Sequence, residues 1–327
     1  MSANIFKGRW VGYLFSAGCI CILVWNTDWS ALVDGFRNIS AWMFMAATCL
    51  VVTSYIGFCC RWWILLNSRS PASFAFSLRS FLIGHFLNNL LMLRAGDIYR
   101  VNCLRKQSGW NAGSAMAALL TERITDILSL GGFSFFVFAN VNLPREVSLG
   151  MALLILTGLV LLLANLFLRR IQRTTRRLAL RAGLVISRRV GHSIWRFVNG
   201  MASGVLPAGT PGVAGLYVKL LFVSVLAWLF NLAAILTVLS VFLPENALGA
   251  AVTVMVITNF GLALPTSPGG IGVYHSLVIV ALLPFGIDFA AALAIAFVLH
   301  AVNYVPMLVA GAVAFISRKP EDVRRMI

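Results

Sequence analysis

The chain has 327 residues, 60% hydrophobic and 11% charged, with 26 Lys and Arg against 10 Asp and Glu. Soluble domains carry roughly a quarter charged residues, so a soluble globular fold, a disordered chain, a collagen and a disulfide-rich secreted domain are excluded. A net charge of +16 would suggest nucleic acid in a soluble protein, but cytoplasmic loops of membrane proteins are themselves rich in Lys and Arg, and no nucleic-acid partner is expected.

Several apolar runs exceed the ~18 residues that mark a spanning helix. They are continuous rather than alternating, which argues against a membrane β-barrel and for an all-α polytopic membrane protein. Lys7 and Arg9 precede the first run, residues 10–26, and place the N-terminus in the cytoplasm. The second span covers about 41–66, with Arg61, Trp62 and Trp63 in its last turns. There they suit an interface, where Arg snorkels and Trp anchors. Residues 73–93 are apolar but broken by Arg79, His85, Asn88 and Asn89, and they run into a polar patch at 94–100. Spans at about 114–140 and 147–168 follow.

Nine of the 26 basic residues lie between Arg169 and Arg196, the pattern of a cytoplasmic amphipathic segment on anionic lipid. Glycines and prolines at 204–212 break the chain. The second half holds a span at about 214–243, a short run at 247–264, the breaker 265–272, a second short run at 273–286, a last span at about 289–317 and a basic tail. The six cysteines lack zinc-finger spacing with histidines and read as small buried hydrophobes.

Charge distribution tests the topology. With 1–9, 67–113, 169–213 and 318–327 inside, the outside loops hold only Arg37 and Arg145 as basic residues. Region 73–112 must then enter and leave on the cytoplasmic side, and 247–286 on the external side. The expectation is one integral membrane domain over 1–327 with about six full spans and two re-entrant hairpins from opposite faces. Its first half is 10–168, the basic segment is 169–213, and the second half is 214–317. Opposed hairpins suggest an inverted repeat, which in transporters places a site near the midplane. The rival is eight or more full spans.

Three constellations carry chemistry. Asn88, Asn89, Arg94, Asp97 and Arg100 form a polar patch whose arginines suit a phosphate, with fixed charge and forked donors; Asp97 stands ready to hold either one. Glu122 and Asp126 share a helix face with Arg123 between them, and carboxylates in a spanning helix are rare and usually functional. They suit a charge network or proton coupling. Ser267, Gly269, Gly270 and Gly272 belong to a breaker whose following half-helix would offer free N–H groups to an anion. His275, in an apolar run, is a candidate for proton handling. Each constellation also reads as ordinary structure: a cytoplasmic loop, an ion-pair network, an interhelical turn and a satisfied core histidine. The sequence has no Walker motif, no Gly-x-Ser-x-Gly and no His-Glu-x-x-His, and no metal or cofactor is expected.

Asn88-Asn89, Arg94-Ala95-Gly96-Asp97, Arg100, Glu122-Arg123-Ile124-Thr125-Asp126 and Pro268-Gly269-Gly270-Ile271-Gly272-Val273-Tyr274 together resemble the transmembrane region of lysylphosphatidylglycerol synthases, or flippase-like integral membrane proteins, over about residues 8–318. Two positions depart from the family pattern: Met92 stands where Pro is frequent, and His275 where Glu is usual. The resemblance implies handling of a lipid or lipid-linked precursor, such as moving its headgroup between leaflets; the charge distribution places both termini on the cytoplasmic side of the membrane. It also implies a stand-alone member without the aminoacyltransferase domain. The expected activity is flippase-like translocation rather than catalysis. A non-transporting partner that presents lipid to a synthase or glycosyltransferase is the second reading, and an intramembrane lipid-phosphate enzyme the third. The absence of an evident nucleophile–base pair weighs against an enzyme.

Overall fold

The structure is a computed structural model that describes residues 25, 29–37, 40–91, 94–107, 109–141, 145–170, 199–200, 213–262 and 268–317. The first span, nearly all of the basic segment, Met92, Ser267 and the tail lie outside the described residues. Among those described there is no strand, and the protein is an all-α polytopic membrane protein.

Helix α1 is Trp29–Arg37, α2 Ala41–Asn67, α3 Phe74–Leu90, α4 Ala95–Gln107, α5 Ala112–Asn140 and α6 Arg145–Arg170. After the basic segment come α7 Val213–Leu239, α8 Ala247–Gly261, a 3-10 turn Pro268–Gly270, α9 Val273–Leu282, a second turn Leu283–Phe285 and α10 Phe289–Ile316. Polar side chains set several starts. Ser40, Ser73, Asn111 and Asp288 each precede a helix and accept a first-turn backbone N–H, as N-caps do.

Helix length separates two classes. α2, α5, α7 and α10 have 27 to 29 residues, about 40 Å at 1.5 Å per residue and ample for a ~30 Å bilayer core. α3, α4, α8 and α9 have 17, 13, 15 and 10 residues, too few to cross alone. Residues 268–285 are apolar enough to span, but Gly269, Gly270, Gly272 and Gly286 all sit at positive φ, so only Val273–Leu282 is α-helical. The short helices pack in pairs, α3 on α4 and α8 on α9.

The order long, short, short, long occurs twice, as α2–α5 and α7–α10, and the packing repeats with it. α3 lies on α10 as α8 lies on α5; α4 lies on α5 as α9 lies on α10; α7 meets α5 as α2 meets α10; α6 flanks α5 as α1 flanks α10. The equivalent helices α2 and α7 run antiparallel. Gly57 abuts Ala227, and one turn further along α2 the Arg61 Nη1 donates to Ser224 Oγ at 2.8 Å, nearly one turn back along α7. Equivalent helices running in opposite directions make the second half an inverted copy of the first, so the two hairpins enter from opposite sides.

Apolar side chains face outward in helical rows, such as Val218, Phe222, Leu226 and Leu229 on α7 and Val305, Val309 and Val313 on α10. That is the arrangement lipid requires. Inside, one apolar cluster gathers mainly α7 to α10 around Val254, Met255, Val278 and Leu299. Another gathers mainly α2 to α5 around Trp62, Leu65, Phe81 and Leu104. Tyr55 and Phe58 pack against both.

Candidate functional site

The hairpin tips meet. The Arg94 Nη2 donates to the carbonyl of Leu262, where α8 ends, at 3.4 Å. The Pro268–Gly270 turn packs on α3, and the Tyr304 hydroxyl donates to the Asn89 carbonyl at 3.5 Å. Arg94 has φ +52, the one non-glycine residue at positive φ among those described. Such strain persists where surrounding structure enforces it, commonly at functional sites. Here it turns the chain from α3 into α4, and the Asp97 N–H closes the turn on the Arg94 carbonyl at 2.9 Å.

Two glycines bring the hairpin arms together. A Cβ on Gly96 would overlap the Gly84 carbonyl, and one on Gly84 would overlap the Arg100 side chain. Arg100 therefore lies flat on α3, with its guanidinium 3.8 Å from the Trp62 ring centre and Nη2 2.7 Å from Glu122 Oε2. Arg61 approaches the same carboxylate at 3.8 Å and binds Asp126 with both terminal nitrogens, at 2.5 and 3.3 Å. Arg123 pairs with Asp97 at 3.3 Å. Asn88 completes the lattice: its Nδ2 donates to Asp97 Oδ1 at 3.0 Å and its Oδ1 accepts the Asp97 N–H at 3.3 Å.

A cavity of about 310 Å³ opens against this lattice, lined by Arg61, Arg94, Arg100, Glu122, Arg123 and Asp126 together with Trp228, Asn231, Asn259 and Asn303. Among the described residues, four arginines and, with Asp97 included, three carboxylates meet here. Each carboxylate is already held by an arginine.

The family model described as Lysylphosphatidylglycerol synthase TM region matches residues 9–311. The chain belongs to this family. No curated protein matches it. It is a multi-pass membrane protein of the lysylphosphatidylglycerol synthase or flippase type.

Within this family member the structure gathers Arg94, Arg100, Glu122, Arg123 and Asp126 on the cavity wall, with Asn88 and Asp97 directly behind. Asn89 contributes its carbonyl at the hairpin contact. Gly269, Gly270 and Gly272 are not on that wall. They form the left-handed turn before α9, and the Gly269 carbonyl accepts from His300 Nε2 at 3.0 Å. His275 is also off the wall. It is buried at 2% exposure, 5.0 Å from the His300 ring and 4.4 Å from the Phe297 ring, and neither ring nitrogen has a partner among the described residues.

The repeat explains where His275 stands. Asp97 and His275 each lie two residues after the start of their helix, Ala95 or Val273. Arg123 and His300 each lie eleven after Ala112 or Phe289. The His275–His300 contact thus occupies, in the second half, the place of the Asp97–Arg123 ion pair in the first.

The interface reading of Arg61 and Trp62 is corrected. Arg61 is 4% exposed and lies at the centre of the ion-pair lattice, and Trp62 is wholly buried under Arg100. Only Trp63 is partly exposed, its indole N–H on the Ala72 carbonyl. The signal for Arg61 was present: it is the one charged residue in 41–67, and a charge within a span turns inward. The asparagine wall was also missed, because single amides in apolar runs carry no spacing motif.

Proposed function

We propose that the protein translocates a lipid or lipid-linked phosphate-bearing intermediate across the cytoplasmic membrane, its N- and C-termini on the cytoplasmic side, without making or breaking a covalent bond. The observation that carries this reading is the cavity at the meeting point of two opposed hairpins, lined by four arginines, Arg61, Arg94, Arg100 and Arg123. A headgroup phosphate fits Arg94 and Arg100, whose fixed charge and planar donors match phosphate oxygens, while the acyl or prenyl tail stays in the bilayer. Glu122, Asp126 and Asp97 keep the arginines in place when no lipid is bound.

The test is leaflet transfer in proteoliposomes with a panel of anionic, aminoacylated and polyprenyl-phosphate lipids, wild type beside Arg94→Ala and Glu122→Gln. Transfer of one lipid class, lost in both variants while they remain folded, supports the proposal. No transfer of any lipid by folded wild type overturns it and favours a membrane partner that presents lipid to a synthase or glycosyltransferase.

A further inference from the structure

One face of α10 reaches both hairpin tips. His300 donates from Nε2 to the Gly269 carbonyl at 3.0 Å. One turn further on, the Tyr304 ring covers Gly269 so closely that a Cβ there would lie 3.1 Å from it. The Tyr304 hydroxyl meanwhile donates to the Asn89 carbonyl of the other hairpin. His300 thus fixes the second tip beside the first.

Helix α9 meets His300 as well. Tyr274 stacks on the His300 ring at 4.9 Å, and the His275 ring stands at 87° to it, 5.0 Å away. Phe297 closes over His275 at 4.4 Å. A carbonyl only accepts, so in the neutral His300 ring Nε2 carries the hydrogen and Nδ1 the lone pair. His275 is buried, and neither of its ring nitrogens has a partner among the described residues.

No anion stands close enough to balance a charge on this pair. Helices α8 and α10 pack on α9, and α1, α2, α3 and α7 pack on α10. Among these helices only α1 has a carboxylate, Asp34, which is exposed and paired with Arg37. Asp288, ahead of α10, is spent on the Ala290 and Ala291 N–H groups. The other ionisable groups are Tyr55, Arg61 and three cysteines on α2, Arg79 and His85 on α3, and Tyr217 and Lys219 on α7; α8 has none.

In the first half the corresponding place holds Asp97 and Arg123, whose charges cancel. A proton on either histidine instead leaves a buried charge uncompensated, which a packed interior resists. The ring takes a proton readily where it reaches water, so acid favours the state in which α9 has parted from α10. Histidine changes charge between about pH 5 and 8, while ordinary carboxylate and guanidinium groups keep theirs. The acid response is therefore confined to the second hairpin.

We propose that the His275–His300 contact is a proton-operated clasp, which holds the second hairpin on α10 while both rings are neutral and releases it when either takes a proton. The clasp is a property of that contact and goes beyond the proposed translocation.

The test is double electron–electron resonance on the full chain in nanodiscs, in a cysteine-free background. Spin labels on Ile271→Cys and Val305→Cys read the second hairpin against α10, and labels on Ile98→Cys and Met116→Cys read the first hairpin against α5; all four native side chains are exposed. Between about pH 8 and about pH 5, the second-hairpin pair is expected to gain a longer distance. The ratio of long to short distance is expected to rise at least about tenfold, the effect of one proton over one pH unit. The first-hairpin pair is expected to keep one distance throughout. His275→Phe with His300→Gln, which keeps an amide donor for Gly269 and takes up no proton, is expected to hold the second-hairpin pair at one distance.

A single unchanged second-hairpin distance in wild type overturns the proposal, with no reliance on the histidine variant. So does the same acid response in both hairpins, and so does a response that survives His275→Phe with His300→Gln. Lipid transfer with unchanged distances would leave translocation standing and remove the clasp. The acid response without transfer would do the reverse.

Discussion

Asp126 holds Arg61 by both terminal nitrogens, at 2.5 and 3.3 Å, and so ties α2 to α5 through the middle of the bundle. Both side chains are largely withdrawn from solvent, at 5% and 17% exposure. Removing one partner of such a pair strands the other charge, at a cost of about 3–5 kcal/mol. Arg61→Leu and Asp126→Leu are each expected to lower stability by this order, read as thermal unfolding in detergent. The double variant is expected to recover most of the loss, because neither charge is then left alone. A double variant as unstable as the sum of the two singles would sink this account of the pair.

Gly84 and Gly96 set the spacing of the first hairpin. A Cβ at Gly84 would fall 2.5 Å from Arg100 Cδ, a side chain that can swing aside, whereas a Cβ at Gly96 would strike the Gly84 backbone carbonyl. Gly84→Ala is therefore expected to fold with a loss of about 1–3 kcal/mol, the usual cost of overpacking, and to release Arg100 from Glu122. Gly96→Ala is expected to lose more. Calorimetry of the two variants decides the order, and equal stability would contradict the backbone contact.

Arg94 combines a charge with a left-handed backbone, and two substitutions separate the contributions. Arg94→Gly removes the charge and the strain; Arg94→Ala removes the charge and keeps the strain. The glycine variant is expected to be about 1 kcal/mol more stable than the alanine variant, with both inactive in lipid transfer. A more stable alanine variant would mean that the turn does not hold that conformation.

The opposed hairpins predict sidedness of their flanking loops. In a cysteine-free background, Pro71→Cys lies at the entry to α3 and Glu245→Cys at the entry to α8, and both native residues are exposed. Membrane-impermeant maleimide is expected to label Pro71→Cys only from the cytoplasmic face and Glu245→Cys only from the other. Labelling of both from one face would refute the inverted arrangement.

Much of this architecture was legible because charge and apolar length are one-dimensional quantities. The scarcity of basic residues in the outside loops called for two segments that return to the side they entered, and in those stretches the structure has the short helix pairs α3–α4 and α8–α9. The polar patch at 94–100 and the pair Glu122 and Asp126 stood out because charge within a span is costly and must be paired. Arg61 was misplaced because a position near the end of an apolar run resembles an interface anchor until its partner is known, and that partner, Asp126, lies on another helix. The asparagine wall was invisible for a related reason: Asn231, Asn259 and Asn303 come from three helices and acquire meaning only when α7, α8 and α10 converge. His275 gained its structural meaning through the repeat, from the correspondence with Asp97.

At the crossing of α2 and α7 only the Ala227 methyl stands between the backbones: a Cβ on Gly57 would lie 2.9 Å from Ala227 Cβ. Small residues at a helix crossing permit close approach without interlocking knobs. The two repeats therefore meet there with one methyl group between their backbones, and a residue larger than glycine at position 57 would push the halves of the molecule apart.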